Sequence, residues 1–179
     1  MTSHLELAPL PDLPMQRPDG RPFDPPAELA HIRDEQPLRR MLFPDGHIPD
    51  AAAIAAQSDG ALRGVGLSGQ KVSYLRDLSA RIIDGRLQLD ELETLPDEAV
   101  IERLTAVKGF GRWTAEMFLM FRLHRPDVLP VDDLGIVKAV QKAYGLRKTP
   151  SADRLNQIGD AWRPYRSVAC WYLWRSLNA

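Results

Sequence analysis

The chain has 179 residues, 44% hydrophobic and 26% charged, with a net charge of −1; this is the size of one domain, or one domain with a tail, and the composition supports an ordinary core. Its one cysteine, Cys170, excludes an internal disulfide framework, a Cys-based zinc site and a Cys-ligated iron–sulfur cluster. No apolar run approaches the roughly 20 residues of a membrane span, and "MTSHLELAPLPDLP" lacks the basic start and apolar core of a signal peptide, so no membrane partner and a cytoplasmic location are expected. The small net charge hides an asymmetry. Residues 1–99 hold 10 Lys+Arg against 17 Asp+Glu, a balance of −7, whereas residues 100–179 hold 13 against 7, a balance of +6. A positive C-terminal half suits a polyanionic partner.

Ten of the 15 prolines fall in residues 1–50, and "PLPDLPMQRPDGRPFDPP" has no apolar periodicity. Residues 1–47 therefore read as a proline-rich irregular arm, and residues 48–179 as a helical domain. "PDAAAIAAQSDGALRGVG" suggests two short helical pieces broken near Ser58. "LSGQKVSYLRDLSARIIDG" predicts a helix capped by Ser68, striped by Val72, Leu75, Leu78 and Ile82, and stopped at Gly85. In "LPDEAVIERLTAV", Pro96, Asp97 and Glu98 suit a first helical turn. Val100, Ile101, Leu104 and Val107 form the inner face. Further helices are expected at "WTAEMFLMFRL", "DLGIVKAVQKAYG", "SADRLNQIGDAW" and "PYRSVACWYLWRSL". No run alternates with the period of a strand, so the expected fold is all-α.

Helix 97–106, the turn "VKGFG" and helix 112–124 make a helix–hairpin–helix spanning about 97–124. Gly109 and Gly111 permit positive φ and close backbone approach. The second helix starts at once, so its free N–H groups and positive dipole end form an anion site. Lys108 and Arg112 flank that site, and Phe110 and Thr114 complete its backbone. A DNA phosphate fits it; a plain αα-turn ended by glycine is the alternative.

Twenty residues after Trp113 comes "LPVDDLGIVK". Either Asp132 or Asp133 serves as an N-cap, which leaves the other free to face a cleft. Near the end, "WRPYRS" sets Trp162 and Tyr165 beside Arg163 and Arg166, a pattern suited to base stacking and phosphate contact. Most of Trp171, Tyr172 and Trp174 are expected in the core.

"LTAVKGFGRWTAEMF", "LPVDDLGIVK" and "WRPYRSVACWYLWRS" together resemble the helix–hairpin–helix DNA glycosylase superfamily. Within it they are most similar to the alkylpurine branch, that of 3-methyladenine DNA glycosylase II. The likeness covers roughly residues 50–179. It implies that Asp133 is the catalytic carboxylate, with Asp132 as its neighbour and cap. Trp113 stands where lyase-competent relatives carry a Schiff-base lysine, and an indole cannot attack a sugar carbon, so a monofunctional enzyme is implied. Trp162 matches an aromatic of the base pocket, and Tyr165 is placed with it. The backbone carbonyls of Thr105, Val107 and Phe110 match a site for a monovalent cation, Na+ or K+. No cofactor is otherwise required, and the single cysteine removes the iron–sulfur branch. The implied partner is double-stranded DNA carrying alkylated bases, bound by a monomer.

These residue types suit that chemistry. The target base must be flipped out of the duplex. An N3- or N7-alkylated purine is cationic and leaves readily, so the site needs electron-rich rings to hold it and a carboxylate to stabilise the oxocarbenium-like sugar. One departure stands out. The helix pair that carries a wedge residue in such enzymes is not found upstream of "GLSGQK"; Leu38, Met41 or Leu42 are the candidates to replace it. The alternative function is therefore a helix–hairpin–helix DNA-binding protein without catalysis.

Overall fold

A computed structural model describes residues 49–177. The proline-rich arm, and with it Leu38, Met41 and Leu42, lies outside the described residues. Among the described residues the fold is helical, with no strand.

Short polar caps start most of the helices. Asp50 accepts the Ala53 N–H at 2.7 Å to open α1 (Ala51–Ala56), and Ser58 accepts the Ala61 N–H at 3.1 Å to open α2 (Asp59–Gly64). The predicted break near Ser58 is thus a cap. Ser68 opens α3 (Gly69–Ile83), which ends before Gly85 at φ +77°. Arg76 of α3 ties the two short helices to it. Its guanidinium donates to the carbonyls of Ile54, Ala55 and Gln57 at the end of α1 and to Asp59 at the start of α2.

A 3₁₀ turn over Leu89–Thr94 follows, an element with no periodicity to announce it; Leu92 at its centre is 1% exposed. Then come α4 (Asp97–Thr105) and α5 (Arg112–Phe121), the two arms of the hairpin, and α6 (Leu134–Ala143). The chain ends with α7 (Ala152–Gly159), a 3₁₀ turn over Asp160–Trp162 and α8 (Arg166–Ser176). The core lies between these last helices. Val100, Leu104 and Val107 meet Ala115 and Leu119 of α5, Ile136 and Val140 of α6, Leu155 of α7 and Cys170 of α8. Burial pushes the Cys170 thiol up to about 12, which keeps it protonated and inert.

The segment between α5 and α6 is laced to α8. The Ser167 hydroxyl donates to the Arg125 carbonyl at 2.7 Å and accepts the Val128 N–H at 3.0 Å. Asp127 pairs with Arg163 at 2.7 Å and Arg166 at 2.6 Å. Ser167, Cys170 and Trp174 share one face of α8, being three and seven residues apart. As α8 proceeds, that face tracks the chain from Arg125 through Val128 to Asp133. This is how the fold brings a C-terminal indole to the start of α6.

Candidate active site

Asp133 is the N-cap of α6 and only 8% exposed. Its Oδ1 accepts the Ile136 N–H at 2.8 Å and the Trp174 Nε1–H at 2.8 Å. Its Oδ2 accepts the Trp113 Nε1–H at 2.7 Å. The cap expected of Asp132 is therefore made by Asp133 itself. Asp132 is exposed and makes neither the cap bond nor a bond to an indole. Burial raises the Asp133 pKa. The hydrogen bonds from Trp174, the Ile136 N–H, Trp113 and the Gly135 N–H outweigh that effect and hold the carboxyl below its ordinary value. Asp133 is thus an anion at neutral pH, fixed by two indoles and a helix N-terminus.

Trp174 packs against the core as expected, and its bond to Asp133 gives it a second role; Trp171 and Tyr172 are not in the core cluster but pack on each other, ring centroids 5.1 Å apart. The Trp174 ring also lies 5.9 Å from that of Phe121, tilted by 30°. Gly135 makes the approach possible. A Cβ there would meet Trp174 Cδ1 at 2.9 Å and Asp133 Oδ1 at 3.0 Å. Trp113 and Phe121 lie eight residues apart on α5, with Met117 between them on the same face. They are 48% and 46% exposed, and Leu134 is 73% exposed. The carboxylate thus sits at the foot of an open wall of aromatic and aliphatic side chains.

Neither of the other predicted aromatics is bonded to Asp133. The Trp162 indole donates to the Tyr144 hydroxyl at 3.2 Å, and its ring packs beside Tyr144 and Gly159. Neither of those residues is a partner of Asp133. Tyr165 is largely exposed and bonds through its backbone N–H to the Trp162 carbonyl. Arg163 and Arg166, read as candidates for phosphate contact, are held by Asp127, and Arg163 also by Asp160.

In the hairpin, Val107 is 1% exposed and anchors the turn in the core, where Phe110 also packs. Gly109 has φ +84°, and the ring of Tyr74 lies where its Cβ would be. Position 109 therefore excludes every side chain for two reasons. Gly111 differs from expectation. It is extended (φ −98°, ψ 174°), and a Cβ there would point into open space. Asp77 of α3 accepts the Lys108 N–H at 2.8 Å and Arg81 Nε at 2.8 Å. Those bonds, the Lys108 N–H foremost, keep its pKa low. One turn amide is thus occupied by the chain's own carboxylate, while no side chain caps α5, whose first residues are Arg112, Trp113 and Thr114. Lys108 is exposed, but Arg112 is held by two carboxylates: Nη2 and Nη1 reach Glu98 at 2.6 and 3.1 Å, and Nε reaches Glu116 at 3.1 Å.

A helical hairpin ahead of a buried aspartate at a helix N-terminus defines a class of base-excising DNA-repair folds, and comparison with known proteins agrees. The family described as "HhH-GPD superfamily base excision DNA repair protein" matches residues 36–164. The chain belongs to this superfamily. It is 36% identical over 133 residues to DNA-3-methyladenine glycosylase 1 of Schizosaccharomyces pombe, covering 74% of this chain and 58% of that protein. It is 36% identical over 130 residues to a putative DNA-3-methyladenine glycosylase of Bacillus subtilis, covering 73% and 45%. The chain therefore spans about half the length of these relatives. Among solved structures, the Schizosaccharomyces pombe 3-methyladenine DNA glycosylase in complex with abasic DNA superimposes with a TM-score of 0.74 at 33% identity, over 80% of this chain and 69% of that one. A Bacillus halodurans DNA-3-methyladenine glycosidase gives 0.70 at 39% identity, over 82% and 67%.

Proposed function

We propose that this chain is a monofunctional DNA glycosylase that hydrolyses the N-glycosidic bond of alkylated purines, 3-methyladenine and 7-methylguanine, in double-stranded DNA. It acts as a monomer in the cytoplasm. Among the described residues no helix is long and apolar enough to cross a membrane. The names of its relatives support the reading. The observation that carries it is Asp133, an anion held by two indoles beside an open aromatic wall. A flipped cationic purine gains roughly 0.5–2 kcal/mol from each aromatic face it meets, here Trp113 and Trp174, the two indoles bonded to Asp133. As the bond from C1′ to the base nitrogen breaks, positive charge grows on the sugar. Asp133 stabilises it and takes a proton from the water that bonds to C1′. The base leaves as the neutral purine.

Trp113 carries no nucleophilic amine at the position where the resemblance places a Schiff-base lysine, which supports the monofunctional reading. In the hairpin, the Val107 carbonyl accepts the Phe110 N–H at 3.1 Å, while no turn amide pairs with the carbonyls of Thr105 or Phe110. These are the three oxygens that would hold a Na+ or K+ ion, which would add positive charge beside a phosphate. The test of the function is release of free base from methylated DNA by the purified protein, with borohydride added to trap any covalent intermediate. Free 3-methyladenine or 7-methylguanine and no trapped adduct are expected. An adduct would point to a lyase. Duplex binding without base release would leave a DNA-binding protein only.

Two glycine substitutions separate folding from DNA contact. Gly109→Val meets both the positive φ and the Tyr74 ring. It should destabilise the fold by about 2 kcal/mol or more, lowering Tm by roughly 4–8 °C. Gly111→Val meets nothing in the protein and should cost at most about 1 kcal/mol as an N-cap change. Its side chain would still fill the space where a phosphate approaches the start of α5. Anisotropy titrations should show weaker duplex binding for Gly111→Val with a near-normal melting curve. Unchanged affinity would remove the hairpin from the DNA contact.

A further inference from the structure

We propose that Glu98 is a restraint on DNA binding: it occupies the outer edge of the Arg112 guanidinium, and a backbone phosphate must displace it to use that arginine. The inference rests on the reading of the hairpin as a DNA contact. Arg112 is the first residue of α5, beside the uncapped amides of the helix N-terminus, where its charge would add to an anion site. Its side chain is committed elsewhere. The two terminal nitrogens pair with the two oxygens of Glu98 at 2.6 and 3.1 Å. This is the same two-pronged edge that recognises a phosphate.

The third nitrogen, Nε, is tied to Glu116 at 3.1 Å. The two carboxylates differ in kind. Glu116 is 4% exposed; burial raises its pKa, and Arg112 opposes the rise. The Glu98 side chain is 73% exposed, and its carboxyl is kept acidic by its bonds to Arg112. So the inner bond orients the guanidinium, and the outer pair is solvent-exposed and open to exchange with an incoming anion. The arrangement places a surface carboxylate and an incoming phosphate in competition for one cation. A free Arg112 would add a phosphate contact; a clasped one adds none.

The competition is legible in salt dependence. Each phosphate neutralised steepens the slope of log K against log[salt] by about 0.9. Glu98→Gln, and Glu98→Ala as a second variant that leaves no amide to hold the fork, should steepen the slope for an undamaged duplex by about 0.9. They should also tighten binding roughly eightfold near ~0.1 M salt. Glu102, one turn on along α4, is exposed and in no ion pair among the described residues, so Glu102→Gln reports the general effect of removing a negative charge. In an Arg112→Gln background, Glu98→Gln should do no more than Glu102→Gln. The inference is overturned if Glu98→Gln and Glu98→Ala match Glu102→Gln, or if the steepening survives loss of Arg112. Failure of the wild-type chain to bind duplex at all would instead overturn the functional reading beneath it.

Discussion

Asp133→Asn is expected to lower single-turnover release of alkylated purines by about 100- to 1,000-fold, the usual loss when a charge that stabilises a transition state is removed. Asp132→Asn should stay within a few-fold. The contrast follows from position. Asp133 is the cap, the acceptor for two indoles and the carboxylate at the aromatic wall, whereas Asp132 is exposed. The fold should survive the exchange. The oxygen of the new amide can still cap α6 and accept from Trp174. Its NH2 group would face the Trp113 N–H, donor against donor, and Trp113 is exposed enough to turn that N–H to water. Exchanging charge-assisted bonds for neutral ones costs roughly 2 kcal/mol, a drop of about 4–8 °C in Tm. Duplex binding should stay near normal or tighten, because a negative charge beside a polyanion is gone. If Asp132→Asn is the inactive variant, the assignment of the carboxylate is off by one residue. If neither substitution matters, the chain binds DNA without cutting bases from it.

What could be read from the residues was local. Ser68 caps the helix expected after it. Val100, Ile101, Leu104 and Val107 all lie in the core as their spacing requires, and helix 97–106 ends within one residue of expectation. These features depend on neighbours within a turn or two. The 3₁₀ turn at Leu89–Thr94 is silent in the sequence because one buried leucine has no period. The site was less legible, since it is made by pairs far apart in the chain. Trp174 reaches Asp133 across 41 residues, Asp77 takes the Lys108 N–H across 31, and Glu98 clasps Arg112 across 14.

Two signals for Trp174 were nevertheless present. Gly135 follows the aspartate pair at a position where a side chain would collide with an indole. Ser167, Cys170 and Trp174 have helical spacing on one face of α8. Aromatics at 171, 172 and 174 point around that helix, so pattern alone could not say which one faces the site. The pocket assignment of Trp162 comes from the resemblance alone; its indole bonds to Tyr144, and it makes no bond to Asp133.

The role of Trp174 has its own test, one that separates support of Asp133 from packing. Trp174→Phe keeps an aromatic ring near Phe121 and removes the indole N–H. Among the interactions that lower the Asp133 pKa, the bond from Trp174 is the largest. Losing it leaves the raising effect of burial less opposed, so the Asp133 pKa rises. The sign follows directly. A carboxyl whose folded pKa is depressed stabilises the protein above its unfolded pKa, 3.8 as the reference value, and that contribution is lost as pH falls through the folded pKa. With less depression, protonation of Asp133 begins at higher pH, and the acid limb of the excision rate moves up with it. At neutral pH the carboxylate is still charged but less well aimed, and the rate should fall by about 10- to 100-fold. Gly135→Ala should act in the same direction by a different route, since its methyl carbon would lie 2.9 Å from Trp174 Cδ1 and 3.0 Å from Asp133 Oδ1 unless the indole moves away. Purely structural support would lower Tm without moving the acid limb. A wild-type pH profile in both variants would therefore leave Trp174 a packing role only, while a shared upward shift would show that the chain sets the acidity of Asp133 through an indole 41 residues away.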